Sequence, residues 1–254
     1  MSAAPPWRSH VDGRRAAAVL VCAAAVYFAA RKLVEGGSEA AAHNATRLMR
    51  FEQAIGIDVE RSLQGFVLDH PVLVDWANHT YVWLHWPFLI FTFAVLFARD
   101  RRAYRHLRDT VMVSGAVGLI IFAVFPVSPP RFLPGFVGTV SQAERQHFLQ
   151  YPGSWSNRFA SLPSFHAGWT LVAAILLATT FRTTIFKIIA LLPGPLVVLA
   201  VIVTGNHYVI DVIVGSLLSL AALTVVSRHI AAGYVRSRVH TAPAVLHSAS
   251  RQRR

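Results

Sequence analysis

Residues 205–227 read GNHYVIDVIVGSLLSLAALTVVS, and this stretch decides the fold. From His207 onward it is an apolar run of the roughly 20 residues that a membrane-spanning helix needs. Its one charged residue is Asp211, and no other acidic residue follows Glu144. A carboxylate within lipid-facing sequence costs roughly 2.5–3.5 kcal/mol on insertion scales, so it has a task and a partner. The spacing supplies that partner. Positions i and i+4 share one helical face, so His207 and Asp211 reach each other. The outcome is an oriented imidazole at a membrane surface.

Composition agrees with a membrane protein. The 254 residues are 54% hydrophobic and 14% charged, with a mean hydropathy of +0.47. A soluble domain carries about 25% charged residues. The single cysteine, Cys22, excludes an intrachain disulfide and a metal site built from several cysteines. The net charge of +12 does not indicate nucleic acid. The basic residues flank apolar segments and fill the tails, where they set orientation and meet anionic lipid.

Six apolar segments follow, at about 14–32, 79–98, 110–127, 165–181, 184–204 and 207–227. The expected fold is all-α, a polytopic bundle of six transmembrane helices with short interfacial helices. Residues 1–13 form a tail, 14–227 the membrane domain and 228–254 a second, basic tail. The first segment resembles a signal peptide, but Arg31 and Lys32 follow it with no small-residue cleavage site beside it, so it is read as retained. The loop 99–109 holds Arg99, Arg101, Arg102, Arg105 and Arg108, and both tails are arginine-rich. Positive charge marks the cytoplasmic side. Both termini are therefore assigned to the cytoplasm of a plasma-membrane protein, with loops 33–78 and 128–164 outside. Trp76, Trp83, Trp86, Trp155 and Trp169 then fall near the outer interface.

Loop 33–78 is patterned. Leu48, Phe51 and Ile55, then Leu63, Phe66 and Val67, recur at helical spacing around Gly56-Ile57-Asp58. Two short amphipathic helices on the outer surface are expected. Lys187 is read as snorkelling, and Pro193-Gly194-Pro195 as bending the fifth segment.

The chemistry gathers at the outer ends of three segments. The third exits into Ser128-Pro129-Pro130-Arg131, the fourth opens at Ser161-Leu162-Pro163-Ser164-Phe165-His166, and the sixth opens at Asn206-His207. Arg131 offers a planar fork of donors to phosphate oxygens. Ser164 suits a helix N-cap, and helix N-termini attract anions. His207, oriented by Asp211, is a nucleophile toward phosphorus, and His166 can protonate a leaving alkoxide. The scheme calls for no metal and no cofactor.

Pro-Pro-Arg, Ser-Leu-Pro-Ser-Phe-His and Gly-Asn-His-Tyr-x-x-Asp-x-x-x-Gly, ending at Gly215, resemble the three signature motifs of the type 2 phosphatidic acid phosphatase superfamily. They are most similar to its inositol-phosphorylceramide-synthase-like branch. The resemblance covers roughly residues 45–227. It implies a six-helix bundle with an outward-facing site, a phosphohistidine at His207, activation by Asp211 and acid catalysis by His166. Two departures stand out. A Ser-Arg pair of the larger phosphatase branch is replaced by Ala200 and Val201, and the first motif lacks its lysine. Phosphate binding then rests on Arg131 and helix N-termini, or on a further arginine such as Arg145 or Arg158.

The implied substrate is a lipid phosphate. Either water or a lipid or polyol hydroxyl takes up the phosphoryl group, and the motifs do not choose between hydrolysis and transfer. They name neither the lipid nor the oligomeric state. Other readings use the same residues. His207 and Asp211 can be a structural pair between helices. His166, His207 and Asp211 can ligate zinc in a membrane hydrolase. A non-enzymatic transporter with a proton relay would place polar groups across the bilayer, whereas these cluster at one face. His79 and His85 are read as interfacial neighbours, with a pocket-lining His85 as the alternative.

Overall fold

Leucine, valine and alanine run in blocks too long for a surface helix, and the chain folds them into helices. The computed structural model of the protein describes residues 13–140 and 157–241, with side chains up to residue 232. Trp155 and Arg145 lie outside the described residues, as do residues 1–12 and 242–254. Among the described residues there is no strand, only an isolated bridge between Val127 and Ala160.

The elements in order are α1 (Gly13–Leu33), α2 (Ser38–Ile55), α3 (Glu60–Leu68), α4 (Pro71–Trp83), α5 (His85–Arg99), α6 (Arg101–Val124), a 3-10 turn (Pro130–Phe132), α7 (Phe165–Thr179), α8 (Thr184–Leu191), α9 (Pro193–Val203) and α10 (Val209–Thr241). The all-α membrane bundle expected from sequence is what forms. The amphipathic pair expected in loop 33–78 appears as α2 and α3. Gly56 ends α2 in the left-handed conformation, at φ 72°, which glycine adopts without steric cost.

Four stretches are long and apolar enough to cross a membrane: α1, α6, Thr184–Val203 and Val209–Ala232. The pair α4 and α5 makes a fifth, bent by 43°. That bend falls at Leu84, inside the span expected over about 79–98. Pro87 has no N–H for the carbonyl of Trp83, and its ring crowds that carbonyl, so the helix breaks there. The remaining segment, α7, has 15 residues. At 1.5 Å per residue this is about 22 Å, short of a hydrocarbon core of about 30 Å. It lies among α5, α6, α8, α9 and α10 and is the most enclosed helix, so protein rather than lipid surrounds it.

The arginine-rich stretch 99–109 is not a loop. Asp100 alone separates α5 from α6, and its side chain accepts from the N–H groups of Arg102 and Ala103 at 2.9 and 3.0 Å. An aspartate at the N-cap starts a helix there, and the arginines occupy its first turns. The break expected at Pro193-Gly194-Pro195 falls at Leu192, between α8 and α9.

The crossing of α7 and α10 fixes the site. A Cβ on Gly168 would have no room against the Gly215 carbonyl and Ser219 Oγ, and one on Gly215 would run into the Ser164 backbone. Small residues let membrane helices approach this closely. Gly168→Ala should cost about 1–3 kcal/mol through overpacking. Gly65→Ala, in α3 with open space around it, should be neutral or stabilising by up to about 1 kcal/mol. Thermal unfolding of the two variants in detergent checks the contrast.

Candidate active site

The three motifs are stitched together by main-chain bonds before any side chain acts. Val127 N–H donates to Phe159 O at 2.8 Å, joining the first motif to the segment before the second. Arg131 N–H donates to Gly205 O at 2.8 Å, joining the first to the third. Ser164 N–H donates to Asp211 O at 2.9 Å, joining the second to the third. Gly205 itself sits at φ 72°, and a side chain there would press on the Val137 carbonyl.

His207 and Asp211 do meet, though not as residues on one helical face. α10 begins at Val209, so His207 precedes it and Asp211 lies in its first turn. The carboxylate reaches back past the helix start, as the acidic residue of a capping box does. Asp211 is fully buried. Its Oδ2 accepts from Tyr208 N–H at 2.9 Å, from Ser161 Oγ at 2.5 Å and from His207 Nδ1 at 3.3 Å.

This arrangement selects the tautomer of His207. Nδ1 also lies 3.0 Å from Ser161 O, which can only accept. The ring proton therefore belongs on Nδ1, and the lone pair is left on Nε2. Ser161 opens the second motif, and nothing in the sequence marks it for a task. Its carbonyl and hydroxyl together orient the imidazole and its carboxylate.

A cleft opens at this end of the bundle. His207 lines it from below the α10 start and His166 from the first turn of α7, with ring centres 5.9 Å apart. His166 is sandwiched. Tyr81 stacks on it at 4.9 Å, and His85 tilts against it at 4.5 Å. His85 is buried, with Nδ1 2.8 Å from Thr170 Oγ1, and it lines the cleft. Neither Tyr81 nor His85 carries a motif, and only their position at one end of an apolar segment hinted at them.

Arg131 lines the cleft and donates to Asn206 Oδ1, so the guanidinium is anchored to the residue beside the imidazole. Ser164 behaves differently. It stands at the N-cap of α7, but its hydroxyl makes no capping bond and is buried at the α7–α10 crossing, away from the cleft. What α7 presents to the cleft is its first turn, whose N–H groups have no acceptor within the helix.

Ala200 and Val201 are buried within α9. The cleft instead draws on Arg158 and Arg31. Arg158 is held by Glu35, whose Oε1 accepts from its main-chain N–H at 3.1 Å. Arg31, from the last turn of α1, was overlooked as a flanking charge. The signal was there: with the assigned orientation, Arg31 and Lys32 put positive charge on the outer side, against the rule that set the orientation. Among the described residues three arginines and three histidines line the cleft, and no carboxylate does. Among the described residues no group of three His, Cys, Asp or Glu is placed to hold a metal ion, so the zinc arrangement of His166, His207 and Asp211 does not form there.

A helical membrane protein with a cationic, histidine-lined cleft at one end of its bundle is built to handle anionic groups. The chain belongs to the PAP2 superfamily, whose family model matches residues 46–225. Membership points to phosphatase or phosphotransferase activity on lipid phosphates. Comparison with curated proteins and with solved structures returned no match.

Tyr208 ties the site to the first motif. Its hydroxyl donates to Ser128 O at 2.9 Å, both groups being buried. Tyr208→Phe should strand that carbonyl and lower stability by about 1–3 kcal/mol, measured as a drop in unfolding midpoint with the cleft residues unchanged.

Proposed function

We propose that the protein is an integral membrane lipid-phosphate phosphatase or phosphotransferase that works through a phosphohistidine at His207. The observation that carries this is the double hold on His207 Nδ1, which leaves Nε2 as the nucleophilic atom facing a cleft whose described lining is cationic.

The reaction divides into two steps. Nε2 of His207 attacks phosphorus, the bond from phosphorus to the lipid alkoxide breaks, and His166 gives its proton to the departing oxygen. Water or an acceptor hydroxyl then attacks the phosphohistidine. The P–N bond breaks, and His166 takes the proton of the incoming hydroxyl. Asp211 stabilises the imidazolium form through its contact with Nδ1. Arg131, Arg31 and Arg158, with the first turn of α7, neutralise the phosphoryl oxygens. Ser164 contributes by starting that turn.

The arginine-rich start of α6 lies at the far end of that helix from the first motif, while α2 and α3 bond to the start of α10 at the cleft end, which supports an extracytoplasmic site at the outer leaflet. The absence of an arginine at position 201, with arginines brought from α1 and from residue 158, supports the synthase-like branch over the plain phosphatases.

Purified protein incubated with radiolabelled lipid phosphates should move label either to free phosphate or to a new lipid, according to whether an acceptor alcohol is supplied. His207→Ala should abolish both. His166→Ala should slow the first step by about 10²–10⁴-fold, the range for general acid catalysis. Arg31→Met should raise KM for the lipid phosphate more than it lowers kcat. Label movement that survives in His207→Ala contradicts the proposal.

A further inference from the structure

Two carboxylates outside the cleft have no part in that scheme. Glu52 of α2 is 1% exposed and Glu60, the first residue of α3, is 3% exposed. Acidic side chains are almost never buried this deeply without partners. Theirs are main-chain groups at the start of α10. Glu60 Oε1 accepts from Val209 N–H at 2.7 Å, and Glu52 Oε1 accepts from Ile210 N–H at 2.8 Å. Asp211 takes the N–H of Tyr208. Three successive N–H groups beside the nucleophile thus go to three carboxylates from three helices.

Acceptors outnumber donors in this cluster. Glu52 Oε2 and Asp211 Oδ1 are buried with no hydrogen-bond partner among the described residues. Glu52 and Glu60 take the adjacent N–H groups of Ile210 and Val209, so two buried carboxyls stand side by side, and a proton on one of them relieves both the repulsion and the surplus of acceptors. A helix N-terminus carries about half a positive charge, too little to balance three negative ones.

We propose that Glu52 and Glu60 are positioning residues for His207, a pair of buried carboxyls that clamps the first turn of α10 to helices α2 and α3. This rests on His207 being the nucleophile. Burial above all, with Glu60 of α3 and Asp211 of α10 adding negative charge beside it, pushes the Glu52 carboxyl up to about 8, although the Ile210 N–H opposes this. Tyr208 lies in the field of all three carboxylates. A carboxyl raised in the folded state stabilises that state below its ordinary range and loses its contribution as pH rises through about 8. The clamp is therefore closed at neutral pH and opens on the alkaline side. The interfacial helices are more than a cover for the site: they hold its nucleophile in register.

Glu52→Gln separates the roles, since its amide oxygen keeps the Ile210 bond and its NH₂ stands in for the protonated oxygen without being able to ionise. In the full chain in detergent, kcat should fall in the wild type as pH passes about 8, with KM little changed. Glu52→Gln should keep the neutral-pH rate and lose this alkaline limb. Glu52→Ala should lower kcat about 10- to 100-fold at every pH, the loss expected when a nucleophile is misplaced by about 1 Å. Hydrogen exchange at residues 208–211, corrected for intrinsic rates, should speed up above that pH in the wild type and not in Glu52→Gln. Identical alkaline limbs in the wild type and Glu52→Gln, or full kcat in Glu52→Ala, would overturn the clamp. If no turnover occurs in any protein, the reaction scheme fails and exchange still decides: unchanged protection in Glu52→Ala overturns the clamp, and lost protection restored in Glu52→Gln supports it.

Discussion

The Asp211 carboxylate is the constraint around which the rest is arranged. It is fully buried, and a single oxygen gathers a hydroxyl from the second motif and an N–H and a ring nitrogen from the third. Removing a carboxylate from water costs several kcal/mol even after relaxation. Hydrogen bonds to a charged group return about 1.5–3 kcal/mol each, so three of them roughly offset that cost. The charge is tolerable only while all three donors are in place. That demand explains the tight contact of α7 with α10 at Gly168 and Gly215, because Ser161 reaches the carboxylate only at this approach. It also explains why the chain leaves the helix at His207: the ring must face both Ser161 O and Asp211.

Charge in the cleft is assembled from unusual places. Where the larger phosphatase branch has an arginine six residues before the nucleophilic histidine, this chain has Val201, packed inside α9. Positive charge arrives from α1 and from Arg158 instead, and Glu35 links the two. Asn157 adds a second link, donating to Arg31 O at 2.9 Å. The first helix, otherwise exposed along nearly its whole length, is thereby tied to the site at one end.

Much of this was legible in the sequence, and the remainder fails for identifiable reasons. Hydropathy and the lone Asp211 disclosed a membrane helix bundle, and motif order disclosed His166, His207, Asp211 and Arg131 as neighbours. Helical spacing and Gly56 disclosed α2 and α3. The bend at Leu84 was missed because Pro87 acts on a carbonyl four residues upstream, not at its own position. The arginine-rich stretch after Arg99 looked like a loop because its charges outweighed the capping role of Asp100. Span counting stops short of six because α7 is apolar and central yet only 15 residues long. Glu52 and Glu60 lay beyond reach for another reason: their partners are main-chain groups far away in sequence, and no local pattern marks such contacts.

The central claim is that Nε2 of His207 becomes covalently bonded to phosphorus. Quenching the protein in the first turnover with a phosphate-labelled lipid, then mapping the label by mass spectrometry under alkaline conditions that preserve phosphohistidine, tests it directly. The account predicts acid-labile phosphate on the peptide containing His207, absent in His207→Ala and accumulating when His166 is replaced and an activated leaving group is supplied. Label on another residue, or full turnover with no trapped phosphohistidine under conditions that preserve it, would contradict the account.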